Sequence, residues 1–304
     1  MARLPAICQY GKISCMAQKV SLYIPCYNAG EYIDRCLMGA TTQTYPVAEI
    51  LLVDDGSGDD TVSKASKYNV RIIRHGENRG LAAARNTAVM NASGDFVASL
   101  DADCAASSEW LERLMGGFSD ESVAGVGGKL LEGRRSGVAD RWRAVYMRQN
   151  WGDLRSADAR FLFGSNNVFR KGAVKEAGMY DARYRTNGED YDMSMRLKAR
   201  GYRLVYEPAA VVVHLRTDTA RSALNTHWRW TFIGTTGTDR SPESLYNLAC
   251  KTYDNLVYLF RDMLWNDIKN GRAEFIPMDI ASWFHHLFRD MGYYISNKRK
   301  GAIK

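Results

Sequence analysis

No stretch of this chain approaches the roughly 18 apolar residues that a helix needs to cross a bilayer. The six cysteines, at positions 8, 15, 26, 36, 104 and 250, form no CxxC pair and no zinc-ligand spacing. That excludes a structural zinc site of the usual pattern and reads as reduced thiols in a cytosolic protein. The first 18 residues, MARLPAICQYGKISCMAQ, lack both a continuous apolar core and a small-residue cleavage site. They read as an N-terminal extension rather than a signal peptide. A large excess of one charge sign is also missing. Lys and Arg total 41 against 34 Asp and Glu, a net charge of +7 over 304 residues. Such a balance suits an anionic partner (a phosphate, a nucleic acid, a lipid headgroup) without selecting one. With 46% hydrophobic and 25% charged residues, the chain is globular and can bury a sizeable core.

What is present is a regular alternation. Short apolar runs predict strands over 20–24, 49–53, 70–74 and 96–100. Between them, helical spacing predicts helices from Asn28 onward, over 60–68 and over 81–92. Asn28 reads as the first helix's cap, with Glu31 three residues on and Ile33, Leu37 and Ala40 on one face. Strands alternating with helices specify an α/β fold, a mainly parallel sheet with helices on both faces. In such sheets ligands bind at the carboxyl ends of the strands. Pro25, Tyr27 and Asn28 end the first strand, Asp54 and Asp55 the second, Asp101 and Asp103 the fourth. Three strand ends thus send polar residues to one crevice. A turn role for each, VDDGS included, is the competing reading.

Further on, a helix is expected over 107–118 and a strand over 123–131. The Arg-rich stretch 132–160 has no clear order. "FLFGSNNVF" (161–169) reads as a short strand broken by Gly164 and two asparagines. A helix is expected over 189–200, then two strands over 203–206 and 210–215, with His214 near the end of the second.

The segments VSLYIPCYNAGEYIDRCL, EILLVDDGSGDDT, NRGLAAARNTAVMNASGDFVASLDAD and GEDYDMSMRLKARGYRLVYEPAAVVVH, in this order and spacing, resemble the family 2 glycosyltransferases over roughly residues 20–216. The resemblance implies a GT-A fold and a direct displacement that inverts the anomeric carbon. It also implies a nucleotide-sugar donor, with a UDP-sugar favoured, and Mn²⁺ or Mg²⁺ held through an Asp-x-Asp motif. The expected setting is bacterial surface polysaccharide or glycoconjugate synthesis. The acceptor would be a glycan, a lipid-linked species or a protein, with no nucleic acid partner.

Residue chemistry agrees. A departing nucleoside diphosphate needs a hard cation with oxygen ligands. In Asp101-Ala102-Asp103, Asp103 would bind the metal directly and Asp101 the ribose, or the metal through water. The resemblance adds His214 as a further ligand, and imidazole favours Mn²⁺. Asp190 is the expected general base, since an acceptor hydroxyl must lose its proton as it attacks. It opens a predicted helix whose dipole favours the carboxylate. Glu189 beside it complements the same dipole or orients the acceptor, and Asp192 is expected to face solvent. For the donor, the resemblance assigns Asp55 to the base, Pro25 and Tyr27 to a backbone wall, and Arg85 to the diphosphate. Asn166 and Asn167 line the sugar and acceptor side, and Asn28, Asp54 and Ala102 complete the donor set.

The expected organisation is an extension over 1–18, a catalytic domain over 19–216 and a helical extension over 217–304. The last carries Trp228, Trp230, Trp265 and Trp283 and ends NKRKGAIK. It would build the acceptor side. Its amphipathic helices and basic end would suit a peripheral contact with the inner face of the membrane. Two other classes compete. A phosphatase of the haloacid dehalogenase type also places DxD at a strand end, but on its first core strand, whereas two βα units precede it here. A non-catalytic nucleotide-sugar-binding protein needs no base. A sugar nucleotidyltransferase would need a Gly-rich loop where IPCYNAGEY stands. The sugar, the acceptor and the oligomeric state are not fixed by the sequence.

Overall fold

The structure, a computed structural model, describes residues 18–233, 242 and 244–299. The extension expected over 1–18, apart from Gln18, and the basic end beyond residue 299 lie outside the described residues.

The chain runs β1 (Val20–Cys26), α1 (Ile33–Thr41), β2 (Glu49–Asp54), α2 (Thr61–Ala65), β3 (Arg71–Arg74), α3 (Leu81–Asn91), β4 (Phe96–Leu100), β5 (Cys104–Ala106) and α4 (Trp110–Met115). It continues through β6 (Val123–Glu132), α5 (Val138–Tyr146), β7 (Asn166–Arg170), α6 (Lys171–Glu176), α7 (Glu189–Ala199) and β8 (Arg203–His214). The helical end comprises α8 (Ala220–Ile233), α9 (Leu245–Tyr258), a π-helical segment Leu259–Leu264, α10 (Trp265–Lys269) and α11 (Ile276–Arg299).

One eight-stranded sheet has the order β3-β2-β1-β4-β7-β6-β8-β5. β1 pairs in parallel with β2 and β4, β2 with β3, and β6 with β8. β7 and β5 run antiparallel to their neighbours. This is the expected α/β sheet, mostly parallel, with helices on both faces. Side-chain alternation along the strands creates two cores. Val20, Leu22 and Ile24 pack under α1, α2 and α4, while Tyr23, Leu51 and Val53 pack under α3, α6 and α7.

Three local readings change. Asn28 does not cap a helix. It adopts a left-handed conformation (φ 50°), and its side chain accepts the Gly58 N–H at 2.9 Å. Asx side chains satisfy turns as readily as helix starts, and α1 begins only at Ile33. The strand expected over 161–169 begins at Asn166, because 161–165 forms an irregular approach to it. The two strands expected over 203–215 are one strand with a bulge. Its pairing with β6 jumps from Gly128↔Glu207 to Lys129↔Val211. Pro208 lies in the jump, where it has no N–H to give to a ladder.

A third core joins α5 to the helical end: Trp142, Ala223, Leu224, Leu259, Met263, Phe275 and Met278. The disordered-looking stretch 132–160 therefore supplies a helix packed against the extension. Among the described residues no helix is long and apolar enough to cross a membrane. The extension does expose Phe260, Trp265, Phe284 and Phe288.

Within this third region, Asp267 and Asp279 are both fully buried. Asp279 accepts the Trp142 indole N–H at 2.8 Å, and Asp267 accepts from Arg272 at 2.7 Å. Burial first, then the hydrogen bond and charge of Asp267, push the Asp279 carboxyl up to about 7, against the pull of Trp142 and Arg272. The folded state thus holds this proton more tightly than the unfolded chain, whose carboxyl titrates near 4. The stability contribution is complete below about pH 4 and is lost as pH rises through about 7. We expect the melting temperature to fall by a few degrees between pH 5.5 and 8, roughly the size a perturbation of one or two kcal/mol gives. Asp279→Asn, neutral throughout, should flatten that slope in a thermal melt. An unchanged slope would refute the assignment.

Candidate active site

The strand ends deliver Asp55, Asp101 and Asp103 to one cleft. After β4 the chain turns tightly, Cys104 N–H donating to the Asp101 carbonyl at 3.0 Å. It returns as β5, which pairs Cys104 opposite His214. That pairing brings Asp103 beside His214, with Oδ2 3.2 Å from Nε2. The other imidazole nitrogen, Nδ1, lies 2.7 Å from Oε2 of Glu132, the last residue of β6. Burial disfavours the charged imidazolium, but the hydrogen bonds to Asp103 and Glu132 outweigh it and raise His214 to about 9. Burial likewise disfavours the Asp103 carboxylate, yet the His214 hydrogen bond and charge, with Arg143 and Arg216 nearby, hold it down to about 2. Asp103 and His214 therefore stand as a matched acid–imidazole pair at the cleft wall.

Arg85 forms the floor. It is fully buried, and its guanidinium is already engaged by protein groups rather than open to the diphosphate the resemblance assigned to it. Its guanidinium donates to Asp101 Oδ1 (3.0 Å), Glu189 Oε1 (3.1 Å), the Gly164 carbonyl (3.0 Å) and the Ser99 hydroxyl. A Cβ on Gly164 would stand 2.6 Å from the guanidinium, so this approach requires glycine. Asp101 lines the cleft, and burial and Asp103 raise its carboxyl against the pull of Arg85. Glu189 is buried too. Burial first and then Asp190 push it up to about 7, against Arg85. Among the described residues, its Oε2 has no hydrogen-bond partner.

Asp190 opens α7. Its Oδ2 accepts the Gly164 N–H at 2.9 Å and its Oδ1 the Tyr191 N–H at 2.7 Å. Backbone donors thus hold its side chain at the wall of the smaller of two cavities. Asp192 pairs with Arg196 at 2.5 Å on the outer face and is only partly exposed.

Two adjoining cavities result. One of about 650 Å³ is lined by Pro25, Tyr27, Asp55, Asp101, Asp103 and His214. The other, about 180 Å³, contains Arg85, Asp101, Glu189 and Asp190. Asp101 and Trp230 line both. The structure does not bring the remaining expected residues to the cleft surface. Asp54 is fully buried under the β2 turn, taking the Ser57 N–H and the Arg74 side chain. Asn166 accepts from Trp110 and donates to the Ala210 carbonyl within the sheet. Asn167 donates to the Phe163 carbonyl. Ala102, nearly buried, spaces the two acids. Asp55 lines the cleft, but three donors already hold it: His75 Nδ1 at 2.6 Å and the amides of Arg79 and Gly80.

The cleft also contains residues that sequence reasoning passed over. Arg185, Arg216 and Arg229 line the larger cavity. Arg229 has its charge disfavoured, first by burial and then by Arg216, Arg289 and Arg143. A cation surrounded by cations on a cavity wall is an anion site in waiting. The only signal in the sequence was the HWRW run at 227–230 in a segment without other motifs.

The family model for glycosyl transferase family 2 matches residues 21–178, more than half of the chain. The chain belongs to glycosyltransferase family 2. It is 33% identical over 205 residues to the glycosyltransferase AglE of Haloferax volcanii, spanning 64% of this chain and 66% of that one. It is 27% identical over 266 residues to the poly-beta-1,6-N-acetyl-D-glucosamine synthase of Staphylococcus aureus, spanning 81% of this chain and 64% of that one. The chain therefore spans just under two thirds of the length of these relatives. Its fold is similar to that of the mannosyltransferase PcManGT of Pyrobaculum calidifontis, solved in complex with GDP-Man and Mn²⁺. The TM-score is 0.60 at 18% identity, covering 91% of this chain and 88% of the other. That similarity establishes the GT-A architecture.

Proposed function

We propose that this family 2 enzyme transfers a sugar from a nucleoside-diphosphate donor to an acceptor hydroxyl, inverting the anomeric carbon, in polysaccharide or glycoconjugate synthesis. The observation that carries the reading is the adjoining pair of cavities. The Asp103–His214 pair lines one and the Asp190 carboxylate the other, with Asp101 and Trp230 common to both. A donor diphosphate in the larger cavity would leave its sugar facing the smaller one. The acceptor oxygen bonds to the anomeric carbon as the bond from that carbon to phosphate breaks. Its proton passes to Asp190, and the electron pair leaves with the diphosphate.

The donor set fits a divalent cation. Asp103 and His214 present one carboxylate and one imidazole, and among the described residues no group of three or more such ligands forms a complete cage. A partly filled set of this kind suits Mn²⁺ or Mg²⁺ completed by phosphate oxygens and water, Mn²⁺ being favoured by imidazole. Such an ion would neutralise charge on the departing diphosphate. Arg229 and Arg216 add fixed positive charge on the same wall.

The helical extension supports an acceptor role. A third cavity of about 800 Å³, lined by Tyr146, Trp230, Asn247, Asn255, Tyr258 and Trp283 among others, shares Trp230 with the two catalytic cavities. Aromatic faces with amides beside them suit sugar rings.

Thermal-shift titration tests the donor. A UDP-sugar with Mn²⁺ should raise the melting temperature, because a ligand of the folded state stabilises it by RT ln(1 + [L]/Kd). GDP-mannose is the alternative donor in the same screen. Arg229→Gln should weaken binding of the nucleoside diphosphate by roughly 10- to 100-fold, the size of one lost charge-assisted contact. No shift with any nucleotide sugar would overturn the reading.

A further inference from the structure

Behind His214 lies a chain of buried ionic groups that the transfer reaction itself does not require. Glu132 receives His214 Nδ1 on Oε2 and the Arg143 Nε–H on Oε1, the latter at 3.2 Å. Arg143 continues to Asp218 Oδ2 at 3.0 Å. Asp218 Oδ1 takes the Ser222 hydroxyl at 2.7 Å, and the Asp218 N–H donates to Asp140 at 2.7 Å. The side chains of His214, Glu132, Arg143 and Asp218 are all at least nine-tenths buried, with exposures of 4%, 6%, 5% and 0%. Four elements meet here: β6, β8, α5 and the approach to α8.

Stability alone is a weak reason for such a chain. Buried ion pairs break roughly even against apolar packing, and a set of them costs more to assemble than it returns. Direction is what it does supply. An imidazole presents two nitrogens, and only a deprotonated one can bind a cation. A carboxylate on one nitrogen holds the proton there and leaves the other as a lone pair. Here Glu132 takes Nδ1, and Nε2, 3.2 Å from Asp103 Oδ2, is the nitrogen on the cleft side, where a cation would displace the proton shared with Asp103. Glu132 cannot swing away, because Arg143 holds its second oxygen and Asp218 holds Arg143.

We propose that Glu132, braced by Arg143, is the positioning residue that fixes the tautomer and ring orientation of His214 so that Nε2 and Asp103 Oδ2 are presented together to a divalent cation. It touches neither donor nor acceptor. The inference rests on the cation site of the proposed transfer.

Electron paramagnetic resonance titration of free Mn²⁺ against the full chain, with UDP and with GDP, tests it without turnover. Glu132→Gln keeps the volume and removes the charge, and should weaken Mn²⁺ binding by roughly 10- to 100-fold, the range such outer partners command. Its melting temperature should fall, because buried Arg143 and His214 each lose a counter-charge, so Mn²⁺ affinity is read well below that transition. Glu132→Asp keeps the charge but withdraws it by one methylene from a 2.7 Å contact, and should also weaken Mn²⁺ binding, by less. This second variant decides the matter should the first fail to fold. Parental Mn²⁺ affinity in a folded Glu132 variant would overturn the positioning role and leave the cation site intact. An unmodified chain that binds no Mn²⁺ with either nucleotide would remove the cation site itself, and the positioning role with it.

Discussion

Replacing Asp190 by Asn should lower kcat by roughly 10²- to 10⁴-fold while leaving nucleotide binding near the parental value. The range is what a positioned general base contributes. The substitution keeps size and shape and removes the capacity to take a proton. The geometry makes the test clean. Asp190 Oδ2 accepts the Gly164 N–H and Oδ1 the Tyr191 N–H. The asparagine Oδ1 can take over one of these bonds, so α7 should still start in place. Asp190 lines the smaller cavity and not the larger one, so donor affinity should not follow the loss of turnover. Single-turnover kinetics beside calorimetric binding of the nucleoside diphosphate separates the two. A variant that turns over like the parent would make Asp190 only a helix-start acid. Glu189, whose buried Oε2 lacks a partner among the described residues and whose carboxyl is pushed up to about 7, would then be the candidate base.

The second large effect is at Asp103. Asp103→Asn, or excess chelator with the parent, should abolish transfer. Charge neutralisation by a bound cation is worth several kcal/mol at the transition state, and each 1.4 kcal/mol is tenfold, so a loss of roughly 10²-fold or more is expected. Unlike the Asp190 variant, this one should also lose metal-dependent nucleotide affinity, because Asp103 lines the larger cavity proposed for the donor. The contrast between the two variants separates cation from base. Full activity in chelator would remove the cation from the account.

Much of this was legible in the sequence because it depends on short-range order. The β1 to β4 alternation is local periodicity, and DAD at a strand end is local chemistry. His214 could be placed because family spacing carries the information that pairing with Cys104 encodes in space. Other roles depend on partners far away in the chain. Arg85 reads as one basic residue in a small helix, yet it is buried by Glu189, 104 positions on. Asn166 and Asn167 look like site residues, but their amides serve Trp110, Ala210 and Phe163. The stretch 132–160 looked formless because its strongest interactions, Glu132 with His214 and Arg143 with Asp218, span 82 and 75 positions. No periodicity records such pairs.

Inversion and the leaving group can both be read from the products of a single reaction. The chain is incubated with Mn²⁺ and an α-linked UDP- or GDP-sugar, and phosphorus and proton NMR follow the products together. Inverting transfer through this cleft predicts release of the intact nucleoside diphosphate, with the sugar appearing first as the β-anomer, on acceptor or on water. Orthophosphate as the released species, or a sugar that keeps the α-configuration, would contradict it.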